Sequence, residues 1–86
     1  MRVEFSEIAK KEFLKLDKPI KIQVQKFILK LQKAENPREL GKPLVGNFKG
    51  LWRYRVGNHR LVCDIKDDRF IINILKIGHR KDIYCA

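Results

Sequence analysis

Residues 52–66 read Trp52-Arg53-Tyr54-Arg55-Val56-Gly57-Asn58-His59-Arg60-Leu61-Val62-Cys63-Asp64-Ile65-Lys66, and the Gly57-Asn58 pair inside them decides the fold. Two runs of strand-forming residues flank a glycine–asparagine dipeptide, the pattern of a tight antiparallel hairpin. Side chains alternate between the faces of a strand, so the turn fixes which residues stand together. Val56 falls opposite His59, Arg55 opposite Arg60, Tyr54 opposite Leu61 and Arg53 opposite Val62. Trp52, Tyr54, Val56, Leu61, Cys63 and Ile65 then make an apolar floor. Arg53, Arg55 and Arg60 share the other face.

Working outward, three strand-like runs follow one another: about Phe48 to Val56, His59 to Lys66 and Arg69 to Ile77. A second two-residue turn at Asp67-Asp68 predicts a meander and adds Phe70, Ile72 and Ile74 to the floor. By the same alternation Val62, Asn73, Leu75 and Ile77 fall on the arginine face. Before the meander, residues 36–47 (NPRELGKPLVGN) hold two prolines and two glycines and read as a loop.

The N-terminal part is helical. Arg2-Val3-Glu4-Phe5 alternates as a short strand. Ser6 then stands at an N-cap position, and Ala9, Phe13 and Leu16 recur at helical spacing through Asp17. Pro19 suits the first turn of a second helix, in which Ile20, Val24, Phe27, Ile28 and Leu31 recur through about Ala34. Asn36-Pro37 ends it. The order β-α-α-β-β-β predicts an α+β domain over residues 1–86. Its N-terminal helical hairpin packs on a small, mainly antiparallel sheet with a C-terminal meander.

Composition narrows the function. Twenty Lys and Arg against ten Asp and Glu leave a net charge of +10 on 86 residues, a field that favours a polyanionic partner. No apolar run approaches the ~20 residues of a membrane span, and the early Glu4 and Glu7 break any signal-peptide core. A cytoplasmic protein without a membrane is the expectation. Cys63 and Cys85 make a poor disulfide framework, and His59 and His79 lie far apart in sequence without metal-ligand spacing. No metal and no cofactor are expected.

The hairpin carries a local conflict. Arg55 and Arg60 are directly opposed, and like charges there cost up to about 1 kcal/mol. Such conflicts between local and global stability fall at functional sites. Arginine also suits planar, bidentate contact with phosphate. The plainer reading pairs the arginines with Asp64, Asp82 and Glu39, but these acids are too few to neutralise the cluster. The lysines of the second helix read as a solvated face, with a smaller weight on RNA contact.

The chain ends Lys76-Ile77-Gly78-His79-Arg80-Lys81-Asp82-Ile83-Tyr84. Gly78 offers a point where the strand turns off the sheet, bringing His79, Arg80 and Tyr84 back over the arginines. With this ending, the hairpin WRYR-turn-HRLVCDI and the element order, nearly the whole chain resembles the RelE/ParE superfamily of bacterial toxin–antitoxin toxins. The ending GHRKDIY points to the RelE branch. That resemblance implies a ribosome-dependent mRNA endoribonuclease (an mRNA interferase) that inhibits translation, with a RelB-like acidic antitoxin, the ribosome and mRNA as partners. By position it assigns the family's basic pair to Arg53 and Arg55, its third-strand arginine to Arg60, its late basic residue to Arg80 and its tyrosine to Tyr84. Some relatives carry lysines where Arg53 and Arg55 stand.

Metal-free cleavage by attack of a 2′-OH on its own phosphate needs a base, an acid and cations around the added negative charge. Arginine supplies only the last, since guanidinium stays protonated. Histidine titrates near neutrality, so His79 is the first expected proton-transfer group and Tyr84 the second, while His59 points to the floor. Arg60, Arg80, His79, Tyr84 and Arg55 are thus the expected catalytic set, with Arg53, Lys49 and Lys81 holding RNA or phosphate. Two other classes stay open: a ParE-like inhibitor of DNA gyrase without nuclease activity, and a non-catalytic RNA-binding module.

Overall fold

The structure, a computed structural model, describes residues 1–79. A first strand β1 (Arg2–Phe5) leads into helices α1 (Glu7–Leu14) and α2 (Lys18–Lys33). A two-residue strand β2 (Lys42–Pro43) precedes β3 (Trp52–Val56), β4 (His59–Lys66) and β5 (Ile71–His79). The strands form one mixed sheet in the order β1-β5-β4-β3-β2, with β1 parallel to β5 and the other pairs antiparallel. The expected α+β architecture is the one observed, with β2 added inside the segment read as a loop.

Local chemistry explains the helices. The Ser6 hydroxyl accepts the Ala9 N–H at 3.0 Å, so α1 starts where the cap predicts. It ends at Leu14 rather than Asp17, because Lys15 N–H turns back to the Glu12 carbonyl. Pro19 sits in the first turn of α2, where the helix needs no N–H. Ala9, Val24 and Leu31 are fully buried against the sheet, with Phe13, Ile20, Phe27 and Ile28 partly buried around them. The rings of Phe5 and Phe13 meet at 5.5 Å, and those of Phe27 and Tyr54 at 5.4 Å.

The central hairpin follows its turn. Trp52 pairs with Cys63, Arg53 with Val62, Tyr54 with Leu61, Arg55 with Arg60 and Val56 with His59. Gly57 takes φ +60°, which the turn requires and glycine allows. Tyr54, Val56, Leu61 and Cys63 are buried on the helix-covered face. The segment before β2 packs alongside: Tyr54 donates its hydroxyl to the Pro37 carbonyl at 2.9 Å, and Trp52 Nε1 donates to the Arg38 carbonyl at 3.0 Å.

The second turn departs from expectation twice. Residues Asp67–Arg69 form a short 3-10 turn and Phe70 follows in the left-handed region at φ 54°. The loop is two residues longer than predicted, so Lys66 pairs with Ile71 and Ile65 with Ile72. A shift of two preserves the faces: Ile72 and Ile74 are fully buried, but Phe70 leaves the sheet and is 71% exposed. The register then shifts again between Val62 and Cys63, where Leu75 is the extra residue of a bulge on β5. Beyond it the faces exchange. Ile77 pairs with Leu61 and is 2% exposed in the core, correcting its expected place on the arginine face.

Side chains of α1 and its cap secure this irregular stretch. Ser6 N–H donates to the Ile74 carbonyl and Ser6 Oγ to the Leu75 carbonyl, both at 2.9 Å. Glu12 Oε1 accepts the Ile77 N–H at 2.9 Å. β1 pairs with β5 only from Ile71 to Ile74, so beyond that point α1 and its cap satisfy part of an edge that would otherwise be bare.

Two buried groups of the core give the fold a pH dependence. Burial pushes the Cys63 thiol well above its ordinary range. Burial, and secondarily Cys63, does the same to the Tyr54 phenol, with Arg38 opposing. Both groups fold in their neutral forms, so their contribution is fully present below the unfolded thiol and phenol ranges. It is lost as pH rises from those ranges towards the raised folded values. The unfolding free energy from urea titration is expected to hold steady from about pH 6 to 8, then fall by up to about 1.4 kcal/mol per pH unit per group, above about pH 9 for Cys63 and above about pH 10 for Tyr54. Cys63→Ala should make that fall shallower; an unchanged slope would show that Cys63 is not the group responsible.

Candidate functional site

The sheet face away from the helices holds the arginines that the hairpin register predicts. Arg55 and Arg60 are cross-strand partners, and Arg53 lies two residues before Arg55 on the same face. The face gains two cations that sequence did not offer. Lys42 of β2 pairs with Arg53, and the bulge turns Lys76 onto this face opposite Val62. Regular alternation would have put Lys76 on the floor and Ile77 here. The only signal in the sequence was that Lys76 would then have faced the core.

Burial differs sharply among the arginines. Arg60 is only 5% exposed, next to Val62 at 5%, whereas Arg55 is exposed and Arg53 half-buried. Arg60 Nη1 donates to the His59 carbonyl at 3.2 Å, which ties the guanidinium to its own strand. Arg53 Nε is buried without a hydrogen-bond partner among the described residues. A cation that is buried and incompletely satisfied is expensive in a finished fold.

Two of the acids that sequence offered to the cluster have other partners. Asp64 pairs with Lys66 at 3.1 Å, and Glu39 accepts from Asn36 at 3.4 Å. Arg38 and Asp67 make a bidentate pair at 2.8 and 2.9 Å, which raises the guanidinium's pKa and lowers the carboxyl's. Among the described residues no ion pair reaches Arg53 or Arg55. Asp82 lies outside the described residues.

His79 departs from its expected place. Gly78 does not turn the chain off the sheet: it pairs with Arg60, and β5 runs on to His79. His79 pairs with His59, and their rings meet edge-on at 5.6 Å. Because His59 shares the face of Val56, His79 stands on the helix side, across the sheet from the arginines. The histidines that lie far apart in sequence are thus neighbours, though among the described residues no three metal-ligating side chains converge. Lys49 is exposed on the turn that precedes β3 rather than in the sheet. Arg80, Lys81 and Tyr84 lie outside the described residues.

A helical hairpin on one face of a five-stranded sheet and three arginines together on the other characterise this small basic protein, and known structures share its fold. A chain in the crystal structure of the toxin–antitoxin complex RelBE2 from Mycobacterium tuberculosis superposes with a TM-score of 0.82 at 31% identity, over 92% of this chain and 96% of that one. The isolated RelE toxin of Escherichia coli has the same fold, with a TM-score of 0.75 at 20% identity over 91% of this chain and 82% of that one. In sequence, the chain is 33% identical over 82 residues to toxin RelG of M. tuberculosis, spanning 95% of this chain and 93% of that protein. The family model described as the ParE toxin of the type II toxin–antitoxin system ParDE matches residues 3–84. The chain belongs to this family of type II toxin–antitoxin toxins, within the RelE/ParE superfamily.

Among the described residues no helix is long and apolar enough to cross a membrane.

Proposed function

We propose that this toxin is an mRNA endoribonuclease that acts on the ribosome and is held inactive by an acidic, RelB-like antitoxin. The observation that carries the reading is the sheet face on which Arg53, Arg55 and Arg60 stand together while the nearby Asp64 is paired to Lys66. A scissile phosphate between Arg55 and Arg60 relieves their like-charge opposition. In the proposed reaction the 2′-oxygen attacks its own phosphorus and the bond to the 5′-oxygen breaks. The products are a 2′,3′-cyclic phosphate and a 5′-OH, with no water consumed. The guanidinium groups offset the charge that builds on the non-bridging oxygens, and Arg80 adds to them.

Proton transfer divides the two groups that sequence put forward. His79 closes β5 on the helix side beside His59, which favours Tyr84 as the group that exchanges a proton with the RNA. A phenol gives up a proton more readily where cations surround it. Tyr84→Phe is expected to slow cleavage by about 10²-fold or more, and His79→Gln by no more than a few-fold. The reverse order would return the role to His79.

Primer extension on ribosome-bound message after induction tests the activity itself. Breaks within codons, each leaving a 5′-OH, are expected. Intact messages together with failing DNA supercoiling would instead establish a gyrase inhibitor, the reading that the ParE name of the matching family keeps in view. Intact messages with normal supercoiling and retained RNA binding would leave a non-catalytic module.

A further inference from the structure

A second cationic feature lies off the arginine face. Between α2 and the β3 hairpin lies a shallow, open cleft of about 450 Å³, lined by Phe27 and Val56 and by Lys26, Lys30 and Arg55. The three cations are exposed, and no acid is among the described residues that line the cleft. α2 itself carries Lys18, Lys21, Lys26, Lys30 and Lys33 and not one Asp or Glu. A solvated helix face ordinarily mixes signs, and like charges four residues apart, as Lys26 and Lys30 are, destabilise a helix by about 0.2–0.5 kcal/mol. That local cost runs along the side that meets Arg55. Arg55 in turn stands opposite Arg60, so one residue belongs to both the cleft and the arginine face.

We propose that this cleft is a second RNA subsite. Lys26 and Lys30 hold backbone phosphates on the far side of Arg55 from the scissile one, and a ribose or base rests on Phe27 and Val56. The inference rests on the RNA reading of the arginine face and extends it around the edge of the sheet. β2 pairs with β3 only at Trp52 and Arg53, so among the described residues nothing in the sheet flanks Arg55 on that side. A run of phosphates matches a line of cations without acids better than it matches a peptide, which would bring only scattered carboxylates. The same chemistry fits message and ribosomal RNA.

The test uses the full chain and a 2′-O-methylated oligoribonucleotide, which cannot supply the attacking hydroxyl and so reports binding alone. For Lys26→Gln/Lys30→Gln, affinity is expected to fall roughly tenfold or more near 0.1 M salt, and the slope of log affinity against log salt to shrink by about 1.4. Its urea midpoint should match or slightly exceed the wild type, since both lysines are exposed and their mutual repulsion is removed. An unchanged slope overturns the subsite. So does an unchanged slope accompanied by weakened binding of an acidic antitoxin peptide, which assigns the cleft to protein. Vacant ribosomes separate the RNA sources: weaker binding there assigns ribosomal RNA, and a defect confined to message-carrying ribosomes assigns the message. A wild-type protein that binds the probe but cleaves no message would sink the nuclease reading and leave the slope measurement standing.

Discussion

Arg60→Ala is expected to lower the rate of message cleavage on programmed ribosomes by about 10²–10³-fold, with the protein still folded. Arg60 is the arginine whose geometry is most constrained. It is 5% exposed, its Nη1 is bound to the His59 carbonyl at 3.2 Å, and it stands directly opposite Arg55. A guanidinium held this way needs little reorganisation when charge builds on a phosphate, which is where preorganised cations contribute most. Arg60→Lys separates charge from shape. It keeps the cation and loses the planar fork, so a loss of about tenfold or more is expected if bidentate contact matters. The rate is to be measured in single turnover at saturating ribosome, with circular dichroism confirming the fold. Cleavage by Arg60→Ala within a few-fold of wild type would remove the arginine face from the mechanism.

Ile77→Ala is expected to destabilise the protein by about 2–5 kcal/mol, a large share of the whole for a domain of this size. The effect depends on the bulge at Leu75. In a regular ladder Ile77 would lie on the arginine face, where truncation costs within about 0.5 kcal/mol. In the bulged ladder it pairs with Leu61 and is 2% exposed. Lys76→Ala is the companion variant: exposed opposite Val62, it should leave the urea midpoint nearly unchanged. Similar midpoints for the two variants would mean that β5 is not bulged as described, and Lys76 would then leave the candidate site.

The two positions show where reading the sequence stops. Gly57-Asn58 specifies a hairpin through local backbone chemistry, and side-chain parity then puts Arg53, Arg55 and Arg60 on one face. Nothing distant is needed for that, and the observed register agrees pair by pair. The helices are legible for the same reason. Ser6 and Pro19 act on neighbouring backbone, and apolar spacing marks the face that must be covered.

The second turn and the end of β5 are not local matters. Asp67-Asp68 has the composition of a tight turn, yet the strands close two residues later because Ile72 and Ile74 must meet Ile65 and Cys63. An even shift keeps the core intact and costs only the burial of Phe70. The bulge has no sequence signal beyond the lysine that regular alternation would have turned to the core. It arises because Ile74 and Ile77, three residues apart, must both be buried, and because Ser6 and Glu12 of the α1 region wait to satisfy the displaced backbone. Tertiary structure therefore moved Ile77 into the core, brought Lys76 beside the arginines and set His79 against His59. The hairpin, its arginine face and the helical cover follow from neighbours along the chain and need nothing remote. What faces what beyond Ile74 was decided only when the sheet met its helices, because the parity of a strand holds only until something remote pays to break it.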